Sequence, residues 1–320
     1  MSLIQTNKER YRILCNDRND IPLFMQAWWM DAVCKQEEWD VILYEEKEII
    51  VGALPYLLIC KYGFKIIIQP QLSQYNGIWI NYPENSNLSK IYSFEKEVMN
   101  NLIDQLEQLN IHYYEQNFHY SVTNWQPFYW KGYKQSTRYS YQLKNIVDTD
   151  KIFSNFHLFK KKHIVKAQKK LKVDYNLSVE DFYSFQTMSL SVKGHKNYCS
   201  EIFFKKMAES AIERNQGAVI AIRDNENNIH SAMFVVWDKM SAYYLVSAIN
   251  PTYKSSGASI LMVWEAILFL SNKTKTFDFE GSMIEGVAKA NQEFGAEQIP
   301  YFTISKSNSA LFSFLLKINK

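Results

Sequence analysis

YYLVSAINPTYKSSGASILMVWEAI, residues 243–267, runs from a β-rich stretch through a short polar loop into a helical pattern. The loop extends from Asn250 to Ser256, and the helix opens at Gly257. At a helix start the first backbone N–H groups have no partner inside the helix, and the helix dipole favours an anion there. Such a junction suits a pyrophosphate. Gly257 lets the backbone come close, Lys254 adds positive charge, and Ser255, Ser256 and Ser259 add small donors around Ala258. Read for local structure alone, the same stretch is a strand-to-helix turn with serine capping.

The elements around this junction recur. Before it stand two helical patterns, 180–192 and 201–215, and the hairpin GAVIAIRDNENNIHSAMFVVW. After it come the strand TFDFE, a short helix near 286–293 and the strand EQIPYFTIS. The first half has a helical pattern after Pro22, then WDVILY and IIVGALPYLLIC joined by a charged turn. YGFKIIIQP, GIWI, a long helix over 90–109 and IHYYEQNF complete it. VILYEEKEIIVGALPYLLI and AVIAIRDNENNIHSAMFVVW share one plan: apolar strand, polar turn, Ile, then an alanine-containing strand. The echo predicts a duplicated fold with its boundary near 145–155, giving domains 1–150 and 151–320. Only the second has a candidate phosphate loop, because NYPENSNLS occupies the matching place in the first.

Composition narrows the function classes. The chain has 320 residues, 47% of them hydrophobic and 22% charged, which excludes a disordered chain. With only 10 glycines, G-x-G-x-x-G, G-x-x-x-x-G-K-[ST] and G-x-S-x-G are quickly seen to be absent. The four cysteines form no C-x-x-C pair and the six histidines no close metal pair, so reduced thiols and no metal are expected. The N-terminus lacks an apolar h-region, and the most apolar run, 260–270, is too short to span a bilayer. A cytoplasmic protein is expected. The net charge of +3 is local, since FHLFKKKHIVKAQKKLKV (156–173) holds seven lysines and no acid. On a helix Lys162, Lys166, Lys169 and Lys170 share one face, either solvated or a stripe for phosphate groups. No aromatics interleave on that face to stack bases, which argues against nucleic acid.

Lys254-Ser255-Ser256-Gly257-Ala258-Ser259, WEAI (264–267), FDFEGS (277–282) and EFG (293–295) fall in an order that resembles the Gcn5-related N-acetyltransferase family, more closely its FemAB-like tandem-domain branch. The resemblance covers the C-terminal half well, and the N-terminal half through element order and the echoed hairpin. The acyl-CoA signature of that family is Arg/Gln-x-x-Gly-x-Gly/Ala; here the central glycine matches and lysine replaces the basic residue. The resemblance implies a mixed α/β (α+β) chain of two tandem acyltransferase-like domains. It also implies transfer of an acyl group from acyl-CoA to the amine of a small-molecule or peptide acceptor.

The residue roles follow from the same resemblance. The 254–259 loop holds the pyrophosphate, and strand N–H groups near Val246 or Ser247 stabilise the oxyanion. Asp278 and Glu280, spaced i, i+2, would share one strand face, with Glu280 as general base and Asp278 as its orienting partner. Glu280 stands where the branch usually has glycine. Tyr243, Tyr244 and Tyr301 are candidates for protonating the thiolate, each equally readable as packing. Gln74 and Tyr75, in the polar loop QPQLSQYNG, are candidate substrate contacts. Gly257→Glu is expected to abolish cofactor binding and leave the fold intact. The peptidoglycan-type relatives carry Phe-Lys where this chain has Ala290 and Asn291, which sets it apart from them. Their aminoacyl-tRNA-dependent peptide-bond formation on a cell-wall precursor is the alternative, and a non-catalytic binding protein is a third reading.

Overall fold

The structure, a computed structural model, describes residues 5–318. The chain forms two compact units: one from the chain up to Arg138 together with the segment from Pro300 onward, the other from Tyr139–Ile299. In the first half of the chain lie α1 (Asn7–Asp17), α2 (Ala27–Val33), β1 (Trp39–Glu46), β2 (Ile49–Lys61), β3 (Phe64–Ile68), β4 (Trp79–Ile80), α3 (Leu88–Gln108), β5 (Tyr113–Asn117), α4 (Gln126–Trp130) and β6 (Lys134–Lys144). There follow α5 (Thr149–Asn155), α6 (Leu158–Gln168), β7 (Lys172–Asp174), α7 (Val179–Ser191), α8 (Glu201–Glu213), β8 (Gly217–Arg223), β9 (Ile229–Trp237) and β10 (Ser241–Ile249). The chain ends with α9 (Ala258–Leu270), β11 (Thr276–Asp278), α10 (Glu285–Gln292), β12 (Glu297–Ser307) and α11 (Ala310–Ile318).

Within the first unit β1 pairs antiparallel with β2, β2 antiparallel with β3, β3 parallel with β5, and β5 antiparallel with β12. Within the second, β8 pairs antiparallel with β9, β9 antiparallel with β10, β10 parallel with β11, and β11 antiparallel with β6. The same series of pairings occurs twice. In each series a helix crosses between the two parallel strands, α3 in one and α9 in the other. A crossover is what a parallel pair requires, because a tight hairpin cannot join it.

The fifth strand of each series comes from the other half of the chain. β6 follows β5 in sequence but pairs with β11; β12 follows β11 but pairs with β5. The unit boundary therefore falls inside β6, ahead of the 150/151 division read from the sequence, and the segment from Pro300 belongs to the first unit. Hydrophobic patterning follows chain order and is blind to an exchange of strands.

Each unit buries a core between its strands and its crossover helix. α3 is amphipathic, placing Val98, Met99, Leu102, Ile103 and Leu106 under Leu54, Ile67 and Tyr114. α9 is apolar nearly all round because it is covered on both sides. Leu261, Met262, Val263 and Ile267 lie in one cluster with Ile164 and Ala167 of α6 and with Met233 and Val235 of β9. The run that looked most membrane-like is a buried core helix, and no helix among the described residues is long and apolar enough to cross a membrane.

Candidate active site

The loop between β10 and α9 is built by its own side chains. Asn250 accepts from the Thr252 N–H at 3.0 Å, and Ser256 N–H donates to the Tyr253 carbonyl at 2.9 Å. Tyr253 stacks flat on the buried His230, centroids 3.9 Å apart and planes 2° from parallel. His230 Nε2 in turn lies 3.1 Å from Asp224 Oδ2. α9 starts without a side-chain bond from its N-cap, Gly257, while Ser256 Oγ accepts from Ala258 N–H at 3.2 Å. α3, its counterpart, is closed at the N-terminus by Asn87, which accepts from Lys90 N–H at 3.0 Å. A side chain thus takes one first-turn N–H at each start; what sets the α9 start apart is its glycine, with no Cβ to block approach to the backbone. Lys254 and Ser255 are exposed beside it, and Ser259 is half-buried in the first turn.

Gly257 itself is buried and left-handed, with φ +82°. A Cβ there would meet Ala167 Cβ at 3.4 Å and His163 Nδ1 at 3.5 Å, so α6 closes one side of the loop. The expectation that Gly257→Glu leaves the fold intact does not hold, because helix-start tolerance of Glu presumes ordinary φ. Even Gly257→Ala should cost about 1 kcal/mol through the left-handed backbone alone. Urea denaturation checks this; an unchanged midpoint would show that the loop relaxes to negative φ.

β10 carries the next feature. It pairs with β11 at Ser241↔Thr276, Ala242↔Phe277 and Tyr243↔Asp278 only, then continues to Ile249. Past Tyr243 no strand among the described residues covers that edge. The register with β9 also shifts between Tyr244 and Val246, a bulge that re-aims the backbone there. Val246 is buried and Ser247 partly buried just beyond the bulge. Tyr244 packs edgewise on Phe279; burial pushes its phenol above the usual range, and the Ser247 hydroxyl pulls it partway back.

At the end of β11, Asp278 is fully buried and accepts three hydrogen bonds. Ser140 Oγ donates to Oδ1, Gln142 Nε2 to Oδ2 at 2.8 Å, and Glu280 N–H to Oδ1 at 2.7 Å. Ser140 and Gln142 sit on one face of β6, opposite β11 in the Asp278↔Gln142 register. Neither stood out in the sequence. The signal was faint: two polar residues alternating within SYQL.

Glu280 lies past the strand, so strand alternation does not place it. Its φ is +59°, a conformation glycine adopts freely and glutamate does not. The turn is forced from the next residue: a Cβ on Gly281 would lie 2.0 Å from the Tyr139 carbonyl oxygen. The Glu280 Oε1 is buried without a hydrogen-bond partner. Burial, and then the Asp278 charge, push its carboxyl well above the usual range. A strained backbone holding a carboxyl with one buried, unpartnered oxygen is costly, and such features gather where chemistry is done.

Other candidates are placed as follows. Tyr75 is fully buried, its ring edge-on to Tyr301 at 5.0 Å and His119 at 5.1 Å. Gln74 is nearly buried, its carbonyl accepting from Asn117 Nδ2 at 3.1 Å. Tyr243 and Tyr301 are core residues of their own units. The EFG segment is tied to α6: His157 N–H donates to the Glu293 carbonyl at 2.8 Å, and the buried Lys160 ammonium lies 3.4 Å from the Glu293 carboxylate. Lys160 also sits 4.5 Å above the Phe294 ring, and burial lowers its pKa. Among the described residues no His, Cys, Asp and Glu side chains are grouped to hold a metal ion.

No family model and no curated protein matches this sequence. Solved structures do. FemX superposes with a TM-score of 0.70 at 11% identity, over 94% of this chain and 97% of FemX. L-PGS from Bacillus licheniformis gives 0.58 at 9% identity, over 97% of this chain and 95% of that one. A tandem GNAT protein from the clavulanic acid biosynthesis pathway gives 0.51 at 8% identity, over 94% and 93%. Identities this low speak for the fold alone, and superposition over nearly the whole of each chain agrees with the doubled pairing series. The chain has the tandem Gcn5-related N-acetyltransferase fold in its FemAB-like form.

Proposed function

We propose that the protein is an acyl-CoA-dependent N-acyltransferase acting on the amine of a small molecule or peptide. The observation that carries this reading is the parting of β10 from β11 beyond Tyr243 and Asp278, ahead of the α9 start at Gly257. An open strand edge offers N–H and C=O groups to an extended ligand such as pantetheine. The loop fits the other end of that ligand, since a side chain at Gly257 would fill the space between the loop and α6. Acyl-CoA supplies an activated acyl thioester and comes with a cytoplasmic setting. Lys254, Ser255, Ser256 and Ser259 hold its phosphates, with the backbone of Gly257 and Ala258.

The chain's own groups divide the remaining work. The backbone near Val246 and Ser247 donates to the carbonyl oxygen being attacked. An ammonium cannot attack, so its proton must leave first. Glu280 takes it; burial and the Asp278 charge raise its pKa above the usual carboxylate range, which makes it the stronger base once ionised. Asp278 acts through Glu280: it receives the Glu280 N–H and fixes the turn. Tyr244, protonated throughout, is the nearest phenol to the bulge for returning a proton to the leaving thiolate.

Isothermal titration with acetyl-CoA and longer acyl-CoAs tests the donor. The wild type should release heat, and Ser259→Glu should weaken binding about a hundredfold by setting like charge against the pyrophosphate. That variant keeps the helix, since a first-turn acid suits the dipole. No heat from wild type with any acyl-CoA overturns the reading.

One observation favours the aminoacyl-tRNA donor instead. α6, which flanks Gly257 with His163, exposes Lys162 and Lys166; the helix ends at Gln168, so Lys169 and Lys170 are exposed just past it rather than on its face. A lysine cluster beside the donor loop suits a polyanion. Charged tRNA should then bind with an affinity that falls steeply with salt, and Lys162→Ala, Lys166→Ala and Lys169→Ala together should flatten the slope by about three. Filter binding decides between the donors, and binding of neither leaves a non-catalytic protein.

A further inference from the structure

Within the first unit, far along the chain from the groups above, α3 and the segment leading into α4 enclose a groove of about 590 Å³. Tyr92, Ser93 and Lys96 form one wall; Thr123 to Pro127 and Trp130 form the other. Its size lies in the usual range for small-molecule sites. The aromatics here are not packed away: Tyr92 and Trp130 are each 57% exposed. Polar side chains alternate with them. Asn124 is held from beneath by a buried carboxylate, its Nδ2 donating to Glu95 Oε2 at 2.8 Å while Tyr82 donates to Oε1 at 2.7 Å. Its Oδ1 accepts from Gln126 N–H at 3.1 Å, so the amide has one orientation.

We propose that this groove binds an acidic sugar, a pyranose ring carrying a carboxylate. The axial C–H groups of a pyranose carry slight positive charge and rest against the negative face of an aromatic ring. Its hydroxyls need donors and acceptors spaced between those faces, which Ser93, Thr123, Asn124 and Gln126 provide. Lys96 is the one charged side chain of the lining, with its ammonium 5.4 Å from the Trp130 ring centroid. It repels a quaternary ammonium, the other common guest of aromatic walls, and it attracts a carboxylate.

Saturation-transfer NMR with D-glucuronic acid, D-glucose and uridine monophosphate tests the assignment. Glucuronic acid should receive saturation on its ring protons, with glucose weaker. Trp130→Ala should abolish both signals, and Lys96→Gln should bring glucuronic acid down to the level of glucose. Both side chains are exposed, so the variants should fold; Tyr92→Ala, on the opposite wall, gives an independent reading. Absence of transfer to either sugar, transfer that survives both aromatic substitutions, a preference for the acid that survives Lys96→Gln, or stronger transfer to the nucleotide would each overturn the proposal.

Discussion

Glu280→Gln should lower acyl-transfer turnover about a hundredfold or more, with donor affinity little changed. The substitution keeps shape and backbone and removes only the ability to accept a proton. Two further readouts separate catalysis from mere damage. In the wild type, activity should fall on acidification with a midpoint above the ordinary carboxylate range, because burial and the Asp278 charge raise the Glu280 pKa. The residual activity of the Gln variant should lack that limb. Stability should move the other way. A carboxyl whose folded pKa is raised above its unfolded one favours the native state at low pH, and this contribution is lost as pH rises through the folded value. The Gln variant should therefore match wild type in acid and exceed it increasingly as pH rises above the ordinary carboxylate range. Glu280→Gly should gain up to about 1 kcal/mol more by relieving the left-handed backbone. Undiminished turnover in either variant would remove Glu280 from the mechanism.

Glu280 is only half legible in the sequence. Its type and its place in FDFEGS marked it as a candidate. The geometry that makes it one was not visible, because alternation along a strand put it on the Asp278 face, whereas the strand has already ended. What turns the chain is the Tyr139–Ser140 backbone, and what holds Asp278 is Ser140 and Gln142, 138 and 136 positions away. Partners so remote leave no local periodicity. The β10–α9 junction was legible for the opposite reason: asparagine, proline and glycine punctuate it within one short stretch. The hairpin echo was legible too, since each hairpin is a local unit. The exchange of β6 and β12 was not, because pairing sense and partner are properties of the folded sheet. The packing of α6 on Gly257 was equally out of sight; seven lysines advertise a charged face, not the neighbour of a glycine.

Gly281→Ala should cost roughly 3 kcal/mol or more, well beyond the loss at Gly257, and turnover should fall with it. Both glycines are left-handed, at φ +71° and +82°, so the backbone penalty of a side chain is similar. What differs is the space. At Gly257 the nearest atom to a new methyl is a side-chain carbon at 3.4 Å, ordinary contact. At Gly281 the nearest atoms are the Tyr139 carbonyl oxygen at 2.0 Å and Ser140 Cα at 2.7 Å, and backbone cannot rotate away as a side-chain tip can. Relief must come from pushing β11 off β6, and that separation loosens Ser140 and Gln142 from Asp278. Asp278 would then stand in the core short of donors, which adds its own penalty. Glu280 would lose the turn that buries its carboxyl, so the acid limb of the pH profile should drift back toward ordinary carboxylate values in whatever activity remains. Urea denaturation and the pH profile together check this. Equal losses at the two glycines, with the limb unmoved, would mean that the Tyr139 backbone yields easily and that Glu280 owes its position to something other than β6.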